Sequence, residues 1–352
     1  MVKSIAIDGK KIGVEHQVYT IAEMSANHNQ NFDIAVKIIK AAKEAGADAV
    51  KLQTYTPETI TIDCDNQYFQ IGTENIWAGQ SLYGLYKNAY TPWDWHPKLK
   101  KVAEDVGITL FSSPFDSSSV DFLEKMNVPA YKIASLEIID IPLLKKIAKT
   151  GKPVIMSCGM ANLSEIEEAV YTLKNNGCIE LILLKCSSAY PAPAEEMNLL
   201  TIPHLSEAFC LPVGLSDHTL GIAVPIAAVA LGACVIEKHF CLSRDLPGPD
   251  STFSLEPHEF KEMVTAIRTA KKSLGKITYK PSSKEIDNRV YRRSIFVVKD
   301  TKKGELFSID NVRSIRPGYG LHTRYLEDIV GKKAEFDIKR GTPLSWELVR
   351  KS

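Results

Sequence analysis

The chain has 352 residues, enough for one large domain and a smaller one. Its 43 Lys and Arg nearly balance its 42 Asp and Glu, so the net charge of +1 gives no reason to expect nucleic acid or an anionic membrane as a partner. The sequence has no apolar stretch near the roughly 20 residues of a membrane span, no signal-peptide core and no C-x-x-C pair among its cysteines, so we expect a cytoplasmic protein with reduced thiols.

Short β-branched runs alternate with longer segments of helical period, which is typical of repeated strand–helix units. The predicted strands lie at 17–23, 48–53, 107–112, 129–134, 153–157, 180–186, 212–216 and 233–239. Eight such units predict an α/β fold, a (β/α)₈ or TIM barrel, over residues 1–275. A doubly wound open sheet is the alternative, but no G-x-G-x-x-G follows the first strand.

Two segments depart from this repeat. Residues 54–106 form a long insertion rich in aromatic and polar residues, for which a lid or substrate wall is at least as good an interpretation as an elaborated loop. Polar residues predict a linker at 276–290. Beyond it, DTKKGELFSIDNV (300–312) and DIKRGTPLSWELV (337–349) match at a constant offset, which predicts a small domain of two copied units over 291–352.

Almost every predicted strand ends in polar groups, and barrel enzymes take their catalytic groups from these ends. The polar residues there are Glu23, Lys51, Gln53, Ser112, Ser113, Lys132, Ser135, Glu137, Ser157, Lys185, Ser187, Ser188, Ser216, Asp217, His218, Glu237 and His239. For any single one of these residues, a structural role is as good an interpretation as a functional one. So many polar residues at the ends of eight strands together predict a ligand pocket. Because residues two apart on a strand share a face, Lys51 and Gln53 should enter the pocket together, as should the pair Glu237 and His239.

Two kinds of chemistry follow from the cationic and imidazole side chains. His218 and His239 end neighbouring strands and can both reach one cation, for which Mn²⁺ suits the ligands best, with Mg²⁺, Co²⁺ or Zn²⁺ as alternatives; two ordinary packed histidines are the other interpretation. Lys51 and Lys132, with Lys185 as a candidate third, lie among serines and suit a phosphate and a carboxylate. A Schiff-base lysine at Lys132 or Lys185 is the competing function, and a lysine whose stem packs while its head reaches solvent is the structural alternative.

Ten ordered stretches resemble the sialic acid synthase family along nearly the whole chain. They are IAEMSANHN, ADAVKLQTYTP, LFSSPFD, PAYKIAS, KPVIMSCGM, LKCSSAYPAP, GLSDHTLG, GACVIEKHF, RDLPGPDSTFSL and RSIRPGYG. Within the family, AEMSANHN, LQTYTPETIT and LYGLYKNAYTPWDWH are most similar to the branch that makes pseudaminic acid. In contrast, LPGPD is more typical of the branch that makes N-acetylneuraminate.

The resemblance implies a barrel with a C-terminal antifreeze-protein-like (SAF) domain, in a homodimer whose chains exchange these domains over each other's active sites. It implies condensation of phosphoenolpyruvate with an N-acetylated amino sugar, releasing phosphate by C–O cleavage and giving a nine-carbon 2-keto acid. In the pseudaminate branch the sugar is 2,4-diacetamido-2,4,6-trideoxy-L-altrose and the product serves flagellin glycosylation. N-acetylneuraminate or legionaminate synthesis, a pyruvate aldolase, and a non-enzymatic carbohydrate- or ice-binding module are the alternatives.

The resemblance also implies roles for individual residues. The phosphoenolpyruvate-binding positions hold Lys51, Ser113, Lys132, Ser135, Ser157, Ser188 and Ser216. The sugar-contacting positions hold Gln53, Glu137, Tyr190, Glu237, Asp250 and Arg316, the last reaching the N-acetyl group from the partner chain. The catalytic positions hold Glu23, as general base or water-positioning acid, with His218 and His239 as metal ligands. Ser113 and Ser188 stand where N-acetylneuraminate synthases typically have Thr and Asn.

Overall fold

The computed structural model describes residues 3–72, 77–246 and 248–351, and the elements below belong to them. The strands are β1 (Ile5–Ile7), β2 (Lys10–Ile12), β3 (Tyr19–Glu23), β4 (Ala49–Thr54), β5 (Thr109–Pro114), β6 (Tyr131–Ile133), β7 (Val154–Ser157), β8 (Leu181–Cys186), β9 (Val213–Asp217), β10 (Val235–His239), β11 (Ser294–Val297) and β12 (Val312–Ile315). The α-helices are α1 (Phe32–Glu44), α2 (Pro57–Ile60), α3 (Leu82–Ala89), α4 (His96–Val106), α5 (Ser117–Lys125), α6 (Ile141–Ala148), α7 (Leu163–Asn175), α8 (Thr201–Phe209), α9 (Ala223–Ala230), α10 (Pro257–Leu274), α11 (Ser283–Asp287) and α12 (Leu326–Ile329). Within these ranges, no helix has the length and apolar character needed to cross a bilayer.

Strands β3 to β10 form one closed parallel barrel in chain order. The barrel closes where β10 pairs with β3, with His239 opposite Glu23 in the register. Each of the eight predicted strands overlaps one of these, so the predicted TIM barrel is confirmed.

Helix α1 illustrates how the local sequence specifies the helices around the barrel. In α1, the Asn31 side chain accepts a hydrogen bond from the Ile34 N–H and so caps the first turn. Ala35, Ile38 and Ile39 recur at helical spacing on its buried face. This apolar face packs in the same core cluster as the outward-facing residues of the strands, which leaves the inward-facing residues free for the barrel interior.

An antiparallel hairpin, β1–β2, fills the N-terminal end of the barrel. Ile5, Ile7 and Ile12 are buried and share one core cluster with the inward-facing apolar residues of the barrel strands. The hairpin was not predicted, although Asp8-Gly9 is a strong signal for a two-residue turn. Both turn residues adopt a positive φ, +49° and +75°, as such a turn requires.

Contacts divide the chain into two units, Met1–Gly275 and Lys276–Ser352. The second unit begins within the predicted linker, where Ser283–Asp287 form α11. Strands β11 and β12 pair antiparallel, and Ile295, Val297 and Val312 belong to this unit's own apolar core. The linker boundaries at 276–290 stay a prediction.

The two copied segments of the second unit hold each other. Each copy begins with an aspartate that accepts one backbone N–H and one ammonium from the other copy. The bonds are Arg340 N to Asp300 Oδ1 (2.8 Å), Lys339 Nζ to Asp300 Oδ2 (2.9 Å), Lys303 N to Asp337 Oδ1 (2.8 Å) and Lys302 Nζ to Asp337 Oδ2 (3.0 Å). The matching Asp, Lys and basic positions of the repeat are therefore the groups that join its two halves.

Candidate active site

A buried charge cluster lies where the barrel strands end. The Lys51 ammonium is 3.0 Å from Glu23 Oε2 and 3.0 Å from Glu237 Oε1, and all three residues are buried. Gln53 Nε2 donates to Glu23 Oε1 at 3.0 Å. The alternation of side chains along the strands thus brings these four residues to one side, since inward-facing positions recur every second residue.

Glu237 lies between the two lysines of this cluster. Its Oε1 accepts from Lys51 at 3.0 Å and from the Ser216 hydroxyl at 3.0 Å, and lies 3.7 Å from the Lys132 ammonium. Lys132 also donates to Ser157 Oγ at 2.7 Å. The resemblance implies a sugar contact for Glu237, but the groups that Glu237 contacts, Lys51, Ser216 and Lys132, are ones to which the resemblance assigns phosphoenolpyruvate.

The two carboxylates that share Lys51 differ in their protonation. Burial raises the pKa of Glu23 to about 7, against the opposing effect of Lys51. For Glu237, burial also acts to raise the pKa, but the ammonium groups of Lys132 and Lys51 more than offset it and lower the pKa to about 2. Burial thus favours a proton on Glu23, whereas the two ammonium groups favour the ionised form of Glu237.

A cavity of about 390 Å³ opens at the same strand ends. Both polar and apolar residues line it. Its polar lining includes Ser25, Gln53, Ser135, Glu137, Ser188, Tyr190, His239 and Asp250. Its apolar and aromatic lining includes Tyr55, Ile60, Trp77, Leu85, Tyr86, Ala89 and Phe115. Six of these seven residues lie in the 54–106 insertion, which therefore forms a wall of the cavity, one of the two interpretations left open by its sequence.

Several buried polar atoms at this site lack a hydrogen-bond partner among the described residues: Ser113 Oγ, Ser188 Oγ, Glu137 Oε2, Glu237 Oε2 and His239 Nδ1. Leaving a buried polar atom unsatisfied costs about 1–3 kcal/mol. Of these residues, Ser188, Glu137 and His239 line the cavity, so their atoms are suited to hydrogen bonds with a ligand there.

The loop after β7 brings two of the serines together. The Gly159 N–H donates to Ser135 Oγ at 3.1 Å. A Cβ at Gly159 would lie 2.5 Å from Ser188 Oγ and 2.7 Å from Ser135 Oγ. Only glycine lets the backbone approach both hydroxyls this closely.

The two histidines that end β9 and β10 are adjacent, with ring centroids 5.3 Å apart. His218 Nδ1 lies 2.7 Å from the Ser187 carbonyl oxygen and so carries the proton, which leaves the Nε2 lone pair available. The buried His239 Nδ1 is 4.0 Å from Asp250 Oδ2, and burial lowers the pKa of His239 well below its usual value, so this ring is neutral. For His218, burial acts to lower the pKa, but its interactions with Cys186 and with the Ser187 carbonyl more than offset it and raise the pKa. Two imidazoles this close fit a divalent ion that keeps positions for water and substrate, and binding the ion would require both rings to be deprotonated at the coordinating nitrogen.

A wider set of metal ligands is not present around them. Within residues 3–72, 77–246 and 248–351, no group of three or more His, Cys, Asp and Glu side chains is arranged to hold a metal ion. The assignment of a metal ion to His218 and His239 therefore stays a prediction from the sequence.

Some residues lie differently from the expectation, and one was missed. Ser112 and Lys185 end strands but face away from the interior: Ser112 Oγ bonds to Thr54 Oγ1 at 2.6 Å, and Lys185 Nζ donates to the Cys186 carbonyl at 3.0 Å. Ser25 was not predicted, yet its hydroxyl accepts from Gln53 at 2.9 Å and donates to the Asp250 carboxylate. Its position two residues after Glu23 was the available signal.

The remaining predicted residues divide between the two units. Tyr190 lies in the cavity wall, with its ring centroid 4.4 Å from that of His218. Arg316 belongs to the second unit, where it is exposed directly after β12.

The closed barrel, the buried lysine cluster at its strand ends and the adjoining cavity define a TIM-barrel enzyme. The chain belongs to the NeuB family, whose model matches residues 38–279, and the SAF domain model matches residues 292–350. The recognition of the family from sequence motifs is confirmed.

Individual relatives cover most of the chain. Pseudaminic acid synthase of Campylobacter jejuni subsp. jejuni serotype O:23/36 (strain 81-176) is 46% identical over 94% of this chain and 96% of its own. N,N'-diacetyllegionaminic acid synthase of Legionella pneumophila subsp. pneumophila (strain Philadelphia 1) is 39% identical over 96% of each. The structure of N-acetylneuraminic acid (sialic acid) synthetase from Leptospira borgpetersenii serovar Hardjo-bovis in complex with citrate matches with a TM-score of 0.72 at 35% identity, covering 82% of this chain and 95% of that one.

Proposed function

We propose that this chain is a pseudaminic acid synthase. It condenses phosphoenolpyruvate with 2,4-diacetamido-2,4,6-trideoxy-L-altrose and water, giving the nine-carbon 2-keto acid and phosphate. The observation that carries this proposal is the 46% identity with the Campylobacter jejuni synthase over 94% of the chain. The geometry of the cavity supports both substrates.

Phosphoenolpyruvate is assigned to the lysine cluster. Lys51 lies within ion-pair distance of Glu23 and Glu237, and Lys132 lies 3.7 Å from Glu237. The phosphate and carboxylate of the substrate bind the two ammonium groups, with further hydrogen bonds from the hydroxyls assigned to this substrate: Ser113, Ser135, Ser157, Ser188 and Ser216. Two of these hydroxyls, Ser113 Oγ and Ser188 Oγ, are buried without a partner among the described residues, so they are available to accept this role.

The amino sugar is assigned to the wider part of the cavity. Gln53, Glu137, Tyr190 and Asp250 offer hydrogen bonds to its hydroxyl and acetamido groups. The insertion presents an apolar wall, including Ile60 and Leu85, that suits the 6-methyl group and the acetamido methyls. A 6-hydroxymethyl group against this wall would lose its hydrogen bonds to water, which favours the trideoxy sugar over the substrate of an N-acetylneuraminate synthase.

The family is in general one of metal-dependent synthases, and we assign its ion here to His218 and His239, with Mn²⁺ preferred over Mg²⁺ or Co²⁺. When bound there, a divalent ion supplies Lewis acidity to the oxygen of the sugar aldehyde. C3 of the enol forms the new bond to the aldehyde carbon. The former aldehyde oxygen takes up a proton as this bond forms. Glu23 holds a water and takes one proton from it as the water oxygen bonds to C2. The C2–O bond to the phosphate then breaks with the bridging oxygen leaving on the phosphate, and the C2 hydroxyl gives up its proton as it becomes the carbonyl.

The assembly is proposed as a homodimer that exchanges its SAF domains, with Arg316 of each chain reaching the sugar at the other chain's barrel. Apolar side chains are exposed on the loops that follow β6 and β7 at the cavity end of the barrel: Leu136 (63%), Ile139 (65%) and Met160 (64%). Such a patch on a barrel rim suits burial by another domain. We also propose that the protein acts in the cytoplasm and that its product is used in flagellin glycosylation.

An assay of phosphate release tests this function directly. Purified protein is given phosphoenolpyruvate, Mn²⁺ and one of three sugars: the trideoxy-altrose, the legionaminate precursor or N-acetylmannosamine. We expect the highest kcat/KM with the first sugar and loss of activity after EDTA treatment, restored by Mn²⁺. Full activity in EDTA would refute the metal assignment, and a preference for another sugar would move the chain to a different branch of the family.

A parallel reaction with pyruvate in place of phosphoenolpyruvate distinguishes the aldolase alternative. An aldolase would form product from pyruvate without releasing phosphate, and borohydride would trap an imine at Lys132 or Lys185. Turnover of pyruvate would overturn the proposed function.

A further inference from the structure

A buried ion pair lies directly behind the two histidines. Asp217 and Lys238 each precede one histidine by a single residue, at the ends of the neighbouring strands β9 and β10. They are opposite each other in the strand register. The Lys238 ammonium donates to Asp217 Oδ2, and both side chains are 0% exposed.

The alternation of side chains separates this pair from the cavity. Asp217 and Lys238 occupy the outward-facing positions, whereas the next residue on each strand faces the interior. The ion pair therefore ties the two strand ends together one residue before each imidazole. None of the roles proposed for the reaction uses either charged group.

The pair also fixes the backbone on the far side of His218. The Asp217 carboxylate accepts from the Thr219 N–H at 3.1 Å and from Thr219 Oγ1 at 3.2 Å. The Lys238 ammonium donates to the Thr219 carbonyl at 2.5 Å. Residues 217 and 219 are thus both bonded to one cluster, and the peptide that carries His218 is held from both sides.

Stability alone does not account for this arrangement. Removing two charges from water costs several kcal/mol for each ion, and well-packed apolar residues in place of a buried ion pair are often neutral or stabilising. The charged hydrogen bond between Lys238 and Asp217 is directional, so it fixes the spacing and register of the two strand ends. An apolar contact would not.

We propose that Asp217 and Lys238 are positioning residues that set the separation and orientation of His218 and His239 and thereby the affinity of the metal site. The inference rests on the proposed function, because it assumes that the histidine pair binds the ion. On this proposal, Asp217-His218 and Lys238-His239 have a shared purpose. Each metal ligand directly follows one member of the ion pair that joins the two strands.

The test is Mn²⁺ binding in the absence of both substrates, followed by the electron paramagnetic resonance signal of free Mn²⁺. Wild type is compared with Asp217→Asn/Lys238→Met, which removes both charges at similar volume. Lys152→Met is the control, because Lys152 pairs with Glu124 at 2.8 Å before β7, at the opposite end of the barrel. We expect the double variant to unfold thermally near the wild-type temperature while its Kd for Mn²⁺ rises about 10- to 100-fold, with wild-type affinity in the control.

Each outcome decides a separate question. A wild-type protein that does not bind Mn²⁺ contradicts the proposed metal site itself. A folded double variant with wild-type affinity overturns the positioning role alone. If the double variant fails to fold, Asp217→Ala, which removes the acceptor for Lys238 and for Thr219, takes its place. A folded Asp217→Ala protein with unchanged affinity, or failure of both variants to fold, assigns the pair to folding and overturns the inference.

Discussion

Glu137 illustrates how one carboxyl can serve two roles at different pH. It lines the cavity, and its Oε2 is buried without a partner among the described residues. Burial raises its pKa to about 7, while Lys132 acts in the opposite direction. Below that pH Glu137 is a neutral acid that can donate a hydrogen bond to a sugar oxygen, and above it the carboxylate only accepts.

This shift predicts a pH-dependent cost to stability. Between the ordinary pKa of 4.5 and about 7, the folded chain keeps a proton that the unfolded chain has lost, so the free energy of unfolding falls as pH rises through this window. Glu137→Gln removes the effect. We expect the variant to gain on the order of 3 kcal/mol relative to wild type at pH 8 compared with pH 4.

Urea unfolding of both proteins at the two pH values measures this gain. Glu196→Gln, at an exposed position, controls for the loss of one carboxylate from the chain. An equal difference between wild type and Glu137→Gln at pH 4 and pH 8 would contradict the assignment of a raised pKa to this residue.

At the same scale, the sequence predicts which residues face the interior better than it predicts their partners. The period of two along a strand correctly brings Lys51 and Gln53 to one side. It does not predict the contacts of Glu237 with Lys51 and Lys132. These contacts join side chains from strands that are far apart in sequence and face one another only across the closed barrel. Ser25 was missed for a similar reason. Its hydroxyl is hydrogen-bonded to both Gln53 and Asp250, which are far apart in sequence.

Among the elements, helix α3 of the insertion offers the most direct test of sugar specificity. Leu85 and Ala89 are four residues apart, so they share one face of the helix, and both line the cavity. Leu85→Gln would place an amide where the proposed sugar presents methyl groups. We expect kcat/KM for the sugar to fall about 10- to 100-fold, with KM for phosphoenolpyruvate changed less than about twofold.

Lys87→Gln is the matched control on the exposed face of the same helix. It should leave both parameters near wild type. If Leu85→Gln instead raised KM for phosphoenolpyruvate and left the sugar unaffected, the wall would not belong to the sugar site.

The regular elements followed from periodicity because eight similar units repeat the same pattern. Hairpin β1–β2 is outside that repeat, and its three-residue strands are too short for a periodic signal, although the Asp8-Gly9 turn marks it. The insertion could be recognised by its length and aromatic content. Its folding into a cavity wall could not, because that depends on contacts such as Trp77 Nε1 with the Pro249 carbonyl, 172 residues away.

For the whole molecule, the proposed exchange of SAF domains predicts complementation between inactive chains. Arg316→Ala keeps an intact barrel site, and His239→Ala keeps an intact Arg316. In a mixed dimer one of the two sites would have both groups, so equal random mixing should restore about a quarter of wild-type activity. The measurement is phosphate release after the chains are mixed under conditions that allow subunits to exchange.

A mixture of His218→Ala and His239→Ala chains is the control, because each of its barrels lacks a metal ligand. It should remain inactive. Restoration there, or failure of the Arg316→Ala mixture in samples shown to contain mixed dimers, would contradict the sharing of sites between chains.

The hairpin at the N-terminal end of the barrel has a kinetic consequence. With Ile5, Ile7 and Ile12 filling that end, the buried ammonium groups of Lys51 and Lys132 are approached from the cavity side. A sugar resting in the cavity would stand between them and solvent. On the proposed function, phosphoenolpyruvate enters first and the sugar second, while phosphate, formed at the deep end, departs after the sugar acid, so the one-ended barrel imposes an order on turnover.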